Sequence, residues 1–187
     1  MPLLVEFNDF PEAKEGIGTI LAAYGEIEFA LMGLLAEALF DGEVQDALRV
    51  LFRVHGEGPR ITVCDALLRK TFQKYDLGSK WELALGAIRL CKSIRNNYAH
   101  CHWQIRREKL CFLDLDLDAR SRAEEISITW KIIDEPLVRH QVQYMGYALD
   151  LLYWLHSEVQ KKAGRKSILA LTEPKSIDAP RQYIQES

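Results

Sequence analysis

The chain has 187 residues, 48% of them hydrophobic and 27% charged, and a formal net charge of -3 at pH 7. That is the make-up of one globular domain able to bury a sizeable core, and it excludes the apolar-poor, charge-rich composition of a disordered chain. The slightly acidic balance also excludes a globally basic nucleic-acid binder, so any contact with RNA or DNA has to be local.

The N-terminal stretch MPLLVEFNDF has no basic segment leading into a long apolar run, and the four cysteines, Cys64, Cys91, Cys101 and Cys111, follow no secreted-domain spacing. A reducing cytoplasm is the expected setting. The first helix spans about Pro11 to Phe40, with Ile20, Leu21, Tyr24, Ile27, Leu31, Leu34, Leu35 and Leu39 on one apolar face. Acids and glycines interrupt even this stretch, so no membrane span is expected. Gly18, Ala22, Gly25 and Ala36 line an adjoining side, where small residues admit a second backbone. Glu28 falls inside the apolar face, between Leu21 and Leu35, whereas Glu26 and Glu37 point away.

Asp41 and Gly42 break the pattern, EVQDALRVLFRV reads as a short helix and HGEGP as a loop, and a third helix runs from about Arg60 to Tyr75. Ser79 with Glu82 has the form of a capping box, which starts a fourth helix near Lys80. Its apolar positions, Leu83, Ala87, Leu90, Cys91, Ile94, Tyr98 and Cys101, hold one face through Asn96 and Asn97. From Trp103 the period changes to two, through WQIRREKLCFLDLDL, the charged turn DARSRAEE and ISITWKII, giving two or three antiparallel strands. Asp114, Asp116 and Asp118 alternate with leucines, as on the solvated face of a strand. Asp134 caps a last helix that has Pro136 in its first turn and stops at Gly164. The fold class is therefore mainly α: an up-and-down bundle of four or five helices with a small antiparallel hairpin or meander inserted at about 103–132. Residues 1–164 form the bundle and 165–187 a flexible tail.

The stretch IRNNYAHCHW, Ile94 to Trp103, concentrates residues that a packed helix seldom uses together. Arg89, Lys92, Arg95, Asn96 and His100 share the side opposite the apolar stripe, and Asn96 and His100 are four apart, which makes them neighbours. Between Arg89 and Lys109 stand six Lys/Arg and a single acid, Glu108. Plainer readings exist: a solvated helix face for Arg95 and His100, and a C-terminal cap for the two asparagines. A zinc site built from His100, Cys101, His102, Cys91 and Cys111 matches no common finger or ribbon spacing. The tyrosines Tyr144, Tyr147 and Tyr153 and Trp154 belong to core or dimer surface, and no nucleophile elbow, P-loop or dinucleotide-binding glycine pattern is present.

Arg95 to His100, RNNYAH, resembles the R-x4-6-H signature of the HEPN superfamily (higher eukaryotes and prokaryotes nucleotide-binding domains), whose members are bundles of four or five helices with the motif late in one of them. The resemblance covers about Pro11 to Lys162, the strands being an insertion. It implies a metal-independent endoribonuclease with a composite site in a homodimer, needing no cofactor, in a toxin, defence or stress system with a cognate antitoxin or other partner protein. Carried onto this chain, Arg95 would hold the scissile phosphate, Asn96 would orient it, and His100 would be the general base or acid. Lys92, His102, Arg106 and Arg107 would bind the RNA or nucleotide substrate, and Glu28 would support the site by fixing Arg95 or His100. Some members carry a tyrosine two positions after the histidine as a modification site; His102 stands there instead. The alternative is a non-catalytic helical module that binds nucleotide, RNA or a partner protein through the same face.

Overall fold

The structure, a computed structural model, describes residues 5–114, 129–165 and 171–185. A 3-10 turn, Val5–Asn8, precedes five α-helices: α1 Pro11–Leu39, α2 Val44–Leu51, α3 Glu57–Lys74, α4 Gly78–Ala99 and α5 Glu135–Lys162. Between α4 and α5 come β1 His102–Arg106, β2 Lys109–Leu113 and β3 Lys131–Ile133, and the chain ends on β4 Ile184–Gln185. The mainly helical class and the β insertion before the last helix are as the sequence indicates.

Helix α1 is the spine. Ile20, Ile27, Leu34 and Leu35 have no exposed surface, and α1 packs most extensively on α5, while α4 lies against both. Each such side chain contributes roughly 1.5–3 kcal/mol of burial energy. By length and composition α1 is long and apolar enough to cross a membrane, but half of that apolar window is buried in the bundle, the pattern of a core helix. The close approach of α1 to α5 comes at Gly16, where a Cβ would sit 2.3 Å from Val138 Cγ1. Gly18 and Gly25, the sequence's candidates for that contact, have nothing within 4 Å. Leu21 and Leu39 are exposed, and Glu37, expected to point outward, is buried beside Arg165, Gln160 and His156. These reversals share a cause: α1 is apolar nearly all round, so a wheel alone cannot rank its faces.

The third and fourth helices start earlier than their sequence signals. Gly56, at φ +87°, turns the chain into α3 at Glu57, and Pro59 sits in the first turn, where its missing N–H costs nothing. Helix α4 begins at Gly78 after Leu77, whose N–H bonds Phe72 O at 2.8 Å. Ser79 is therefore inside the helix, no capping box forms, and Glu82 pairs with Arg69 of α3 instead. Leu83 is exposed; the buried line is Trp81, Leu85, Ile88, Cys91, Ile94 and Tyr98. Both asparagines are helical, as expected, and the helix ends at His100.

The sheet is a four-stranded antiparallel meander ordered β1-β2-β3-β4, with His102 opposite Leu113 and Arg106 opposite Lys109. Arg107 and Glu108 both have positive φ, 47° and 61°, the geometry of a two-residue hairpin turn matched to strand twist. One face meets the bundle through Tyr98, Trp103 and Phe112, whose rings lie 5.5–5.8 Å apart. Asp116, Asp118 and the charged turn lie outside the described residues. Asp134 caps α5 as read, accepting from Leu137 N at 2.9 Å. The expected flexible tail is the largest difference. Residues 171–185 return to the bundle, where Gln182 Oε1 accepts from Ser93 Oγ (2.9 Å) and Asn97 Nδ2 (3.1 Å) and β4 extends the sheet. Buried Gln141 donates to the carbonyls of Arg181 and Gln182 while accepting from Tyr98 Oη. Lysines and prolines disguise a segment held by backbone and amide hydrogen bonds and by Leu171, Ile177 and Tyr183 packed against the core, a set too sparse to show as apolar periodicity.

Candidate functional site

Helix α3 runs along the basic side of α4 and stitches it residue by residue. Asp65 Oδ2 lies 4.0 Å from Arg89 Nη2, Lys92 Nζ rests against Gly58, and Glu57 Oε1 lies 2.8 Å from Arg95 Nη1. That nitrogen also donates to Asn96 Oδ1 at 2.9 Å, and the guanidinium stands 5.7 Å from the Tyr24 ring centroid. Arg95 is thus gripped on three sides. Its remaining N–H groups make no hydrogen bond among the described residues, and a guanidinium has five donors.

Glu28 does not reach Arg95 or His100. It accepts from Arg60 Nη1 at 2.9 Å, with Arg60 Nε donating to Val54 O and its guanidinium 4.7 Å above the Phe52 ring. The carboxylate that contacts Arg95 is Glu57 of α3, not Glu28. The wheel correctly placed a carboxylate on a half-buried side of α1 that needed a partner, but the partner comes from the adjacent turn of α3. Glu57 itself escaped the sequence reading because HGEGP looked like a loop; the Gly56-to-Pro59 start signal was the available clue. Beneath both pairs, burial pushes the Tyr24 phenol above its ordinary value and the carboxylates of Glu57 and Glu28 add to the rise, keeping it a neutral donor.

His100 occupies the C-cap of α4, with φ −128° and ψ 23°, so the stacked pair expected with Asn96 falls where helical geometry ends. It is exposed and makes no hydrogen bond or ion pair with another described residue. One residue further, Cys101 is half-buried and burial pushes its thiol up to about 12, which leaves it a poor ligand or nucleophile. Cys91 is likewise buried with its thiol pushed up to about 12. Among the described residues no group of three or more His, Cys, Asp or Glu side chains is placed to hold a metal ion.

The residues proposed to bind substrate divide into two places. Lys92, with Arg89, lines an open cleft of about 620 Å³ against Gly58, Pro59, Ile61 and Thr62 of α3. His102, Arg106 and Arg107 lie on β1 and its turn, where Arg106 Cζ stands 4.7 Å from the ring centroid of Trp130 and the His102 ring 6.4 Å from it. Trp130 was missed because a tryptophan within alternating apolar residues reads as core. A separate cavity of about 490 Å³, at the N-termini of α1 and α5, has an apolar floor and a rim of Asp9, Glu12, Glu108, Asp134 and Glu135 with Lys109 among them. The hydrogen bond and charge of the neighbouring Glu135 raise the Glu12 carboxyl above its ordinary value. Tyr144, Tyr147 and Trp154 are buried, as core readings require, whereas Tyr153 is exposed.

Compared with known proteins, the chain matches no family model, no curated protein and no solved structure.

Proposed function

We propose that this protein is a metal-independent endoribonuclease of HEPN type, working as a cytoplasmic homodimer. The observation that carries the reading is His100: an exposed imidazole with no partner among the described residues, at the end of the helix whose preceding turn holds Arg95 and Asn96 in a fixed pair. An imidazole is suited to take and return a proton near neutral pH, and an oriented guanidinium to hold a phosphate. In the proposed step a base removes the proton of a ribose 2′-hydroxyl, its oxygen attacks the adjacent phosphorus, and the bond to the 5′-oxygen breaks. That oxygen takes up a proton from the acid, leaving a 2′,3′-cyclic phosphate and a 5′-hydroxyl. Arg95 would neutralise the phosphorane's added charge, with Glu57 and Asn96 fixing its plane.

The surface beside the site favours a second copy. Phe29, next to Glu28, is 59% exposed, and Phe52, under Arg60, is 43% exposed. Paired chains would cover these rings and bring two basic zones together. One observation favours a non-catalytic binding module instead: Glu57 already offsets the charge of Arg95. The two separate in one assay. Wild-type protein with EDTA should cut single-stranded RNA to cyclic-phosphate ends while leaving DNA of the same sequence intact, and His100→Ala should lose cleavage but keep its melting temperature. Binding without cutting in both proteins would leave the module.

A further inference from the structure

The open cleft of about 620 Å³ between α3 and α4 is walled by two cations and no carboxylate: Arg89 and Lys92 of α4 meet Gly58, Pro59, Thr62 and Val63 of α3. The cavities of about 490 Å³ and 440 Å³ beside Glu12 both have carboxylates on their walls. Neither cation of the cleft is hydrogen-bonded to an acid. Asp65 accepts from Arg69 Nη2 with both oxygens, at 2.9 and 2.8 Å, and from Trp81 Nε1 at 3.0 Å. Arg89 Nη2, 4.0 Å from that carboxylate, is left outside hydrogen-bond reach. Lys92 has no carboxylate partner among the described residues, and its Nζ lies across the first turn of α3, 3.1 Å from where a Cβ on Gly58 would stand. That turn has no side-chain cap, so the Glu57 and Gly58 N–H groups also lack an acceptor among the described residues. Apolar walls such as Pro59 and Val63 concentrate the field of the two charges within the cleft.

We infer that the cleft is a second phosphate subsite, which holds the linkage next to the scissile one and makes the site read a strand rather than a single linkage. The inference rests on the proposed function, which puts the scissile phosphate at Arg95. Lys92 stands one turn before Arg95 on α4, about 4.5 Å along the axis, and Arg89 two turns before it, about 9 Å. His100 lies on the other side, about 7.5 Å beyond Arg95. A strand laid along α4 therefore passes Arg95 and His100 with one linkage and delivers the neighbouring one to Lys92 and Arg89. The occupant follows from charge complementarity. Two positive charges beside unbonded backbone N–H groups suit an anion with several acceptor oxygens, and a nucleic-acid strand carries one such anion per nucleotide. The consequence is directional: lengthening the substrate at one end fills the cleft, and any gain from the other end is independent of Lys92.

The test has a binding arm and a cleavage arm. Binding is followed by fluorescence anisotropy with a labelled single-stranded DNA oligonucleotide, which lacks the attacking hydroxyl, over a range of salt concentrations. Lys92→Gln should weaken it roughly three- to tenfold and reduce the slope of log affinity against log salt by about 0.7, the value of one phosphate contact on a single strand. Lys92→Arg should restore most of both, and Lys162→Gln, at the end of α5 and outside the cleft, should change neither. In the cleavage arm a dinucleoside monophosphate, which has only the scissile linkage, is compared with trinucleotides extended at either end. Extension at one end should raise wild-type kcat/KM roughly three- to tenfold, and that gain should vanish in Lys92→Gln. Melting temperatures check that each variant is folded. Wild-type affinity and slope in folded Lys92→Gln, an equal loss in Lys162→Gln, or a poly-glutamate of the same charge bound as tightly through Lys92 would each overturn the subsite. Strand binding through Lys92 without any cut RNA upholds the cleft as a phosphate site and removes the nuclease. RNA cleavage whose length dependence is unaltered in Lys92→Gln does the reverse.

Discussion

Removing Glu57 tests whether Arg95 is held as the geometry indicates. The pair is a charge-assisted hydrogen bond of 2.8 Å with side chains 27% and 19% exposed. Deleting one partner of such a bond costs about 1.5–3 kcal/mol when it is well buried, and partial solvation discounts this to about 1–2 kcal/mol. For a chain of this size that is a drop of roughly 2–8 °C in Tm. Thermal and urea melts of Glu57→Ala, Arg95→Ala and the double variant give the coupling energy directly, expected at about 1–2 kcal/mol. Glu28→Ala is the internal control: it should couple to Arg60→Ala and add independently to Arg95→Ala. If Glu28 rather than Glu57 couples to Arg95, the geometry at the crossing of α1, α3 and α4 is refuted. Under the nuclease reading Glu57→Ala should also lower kcat more than it raises KM, since it frees the orientation of Arg95 without removing its charge.

Three further outcomes follow from the packing. Gly16→Ala places a Cβ 2.3 Å from Val138 Cγ1 and should destabilise by about 1–3 kcal/mol, whereas Gly18→Ala, facing open space, should stabilise by about 0.5–1 kcal/mol; a stabilising Gly16→Ala in urea melts contradicts the α1–α5 contact. Burial lowers the His156 imidazole below its ordinary 6.5, with Glu37 pulling the other way. The unfolded chain then takes up its proton at a higher pH than the folded one, so stability present at neutral pH is lost as pH falls through 6.5 and levels off below the folded value. Tm measured from about pH 7 to about pH 5 should fall less steeply in His156→Gln than in wild type; parallel curves contradict the shift. Finally, Gln182→Ala leaves the nearly buried Asn97 amide without its acceptor and should cost about 1–2 kcal/mol, with faster amide exchange at β3 and β4; unchanged exchange means the C-terminal strand is not anchored there.

The bundle was legible because its signals repeat. Seven apolar positions at helical spacing survive the loss of two, so Leu83 turned outward and Cys101 fell beyond the helix end without altering the course of α4. The hairpin was legible for the same reason, its alternation beginning where α4 ends. What escaped depends on single contacts. The partner of Glu28 and the docking of 171–185 are set by which surfaces meet, and no local pattern encodes that; the start of α3 had a local signal, Gly56 to Pro59, hidden by the loop-like HGEGP. The site divides similarly: the helical placement of Arg95 and Asn96 followed from periodicity, but Glu57 and Trp130 entered only through tertiary proximity. His100 lies at the boundary, where the helical stripe reaches its position and the helix itself stops at it.

The central claim turns on His100. Purified protein should be incubated with a 5′-labelled single-stranded RNA in EDTA, alongside His100→Ala with a matching Tm, and the products resolved for 2′,3′-cyclic-phosphate ends. Cleavage by the wild type, at least a hundredfold slower in His100→Ala as general acid–base catalysis of about 10²–10⁴-fold requires, is the expected result; equal rates in the two proteins, or no cleavage by the wild type, would contradict it.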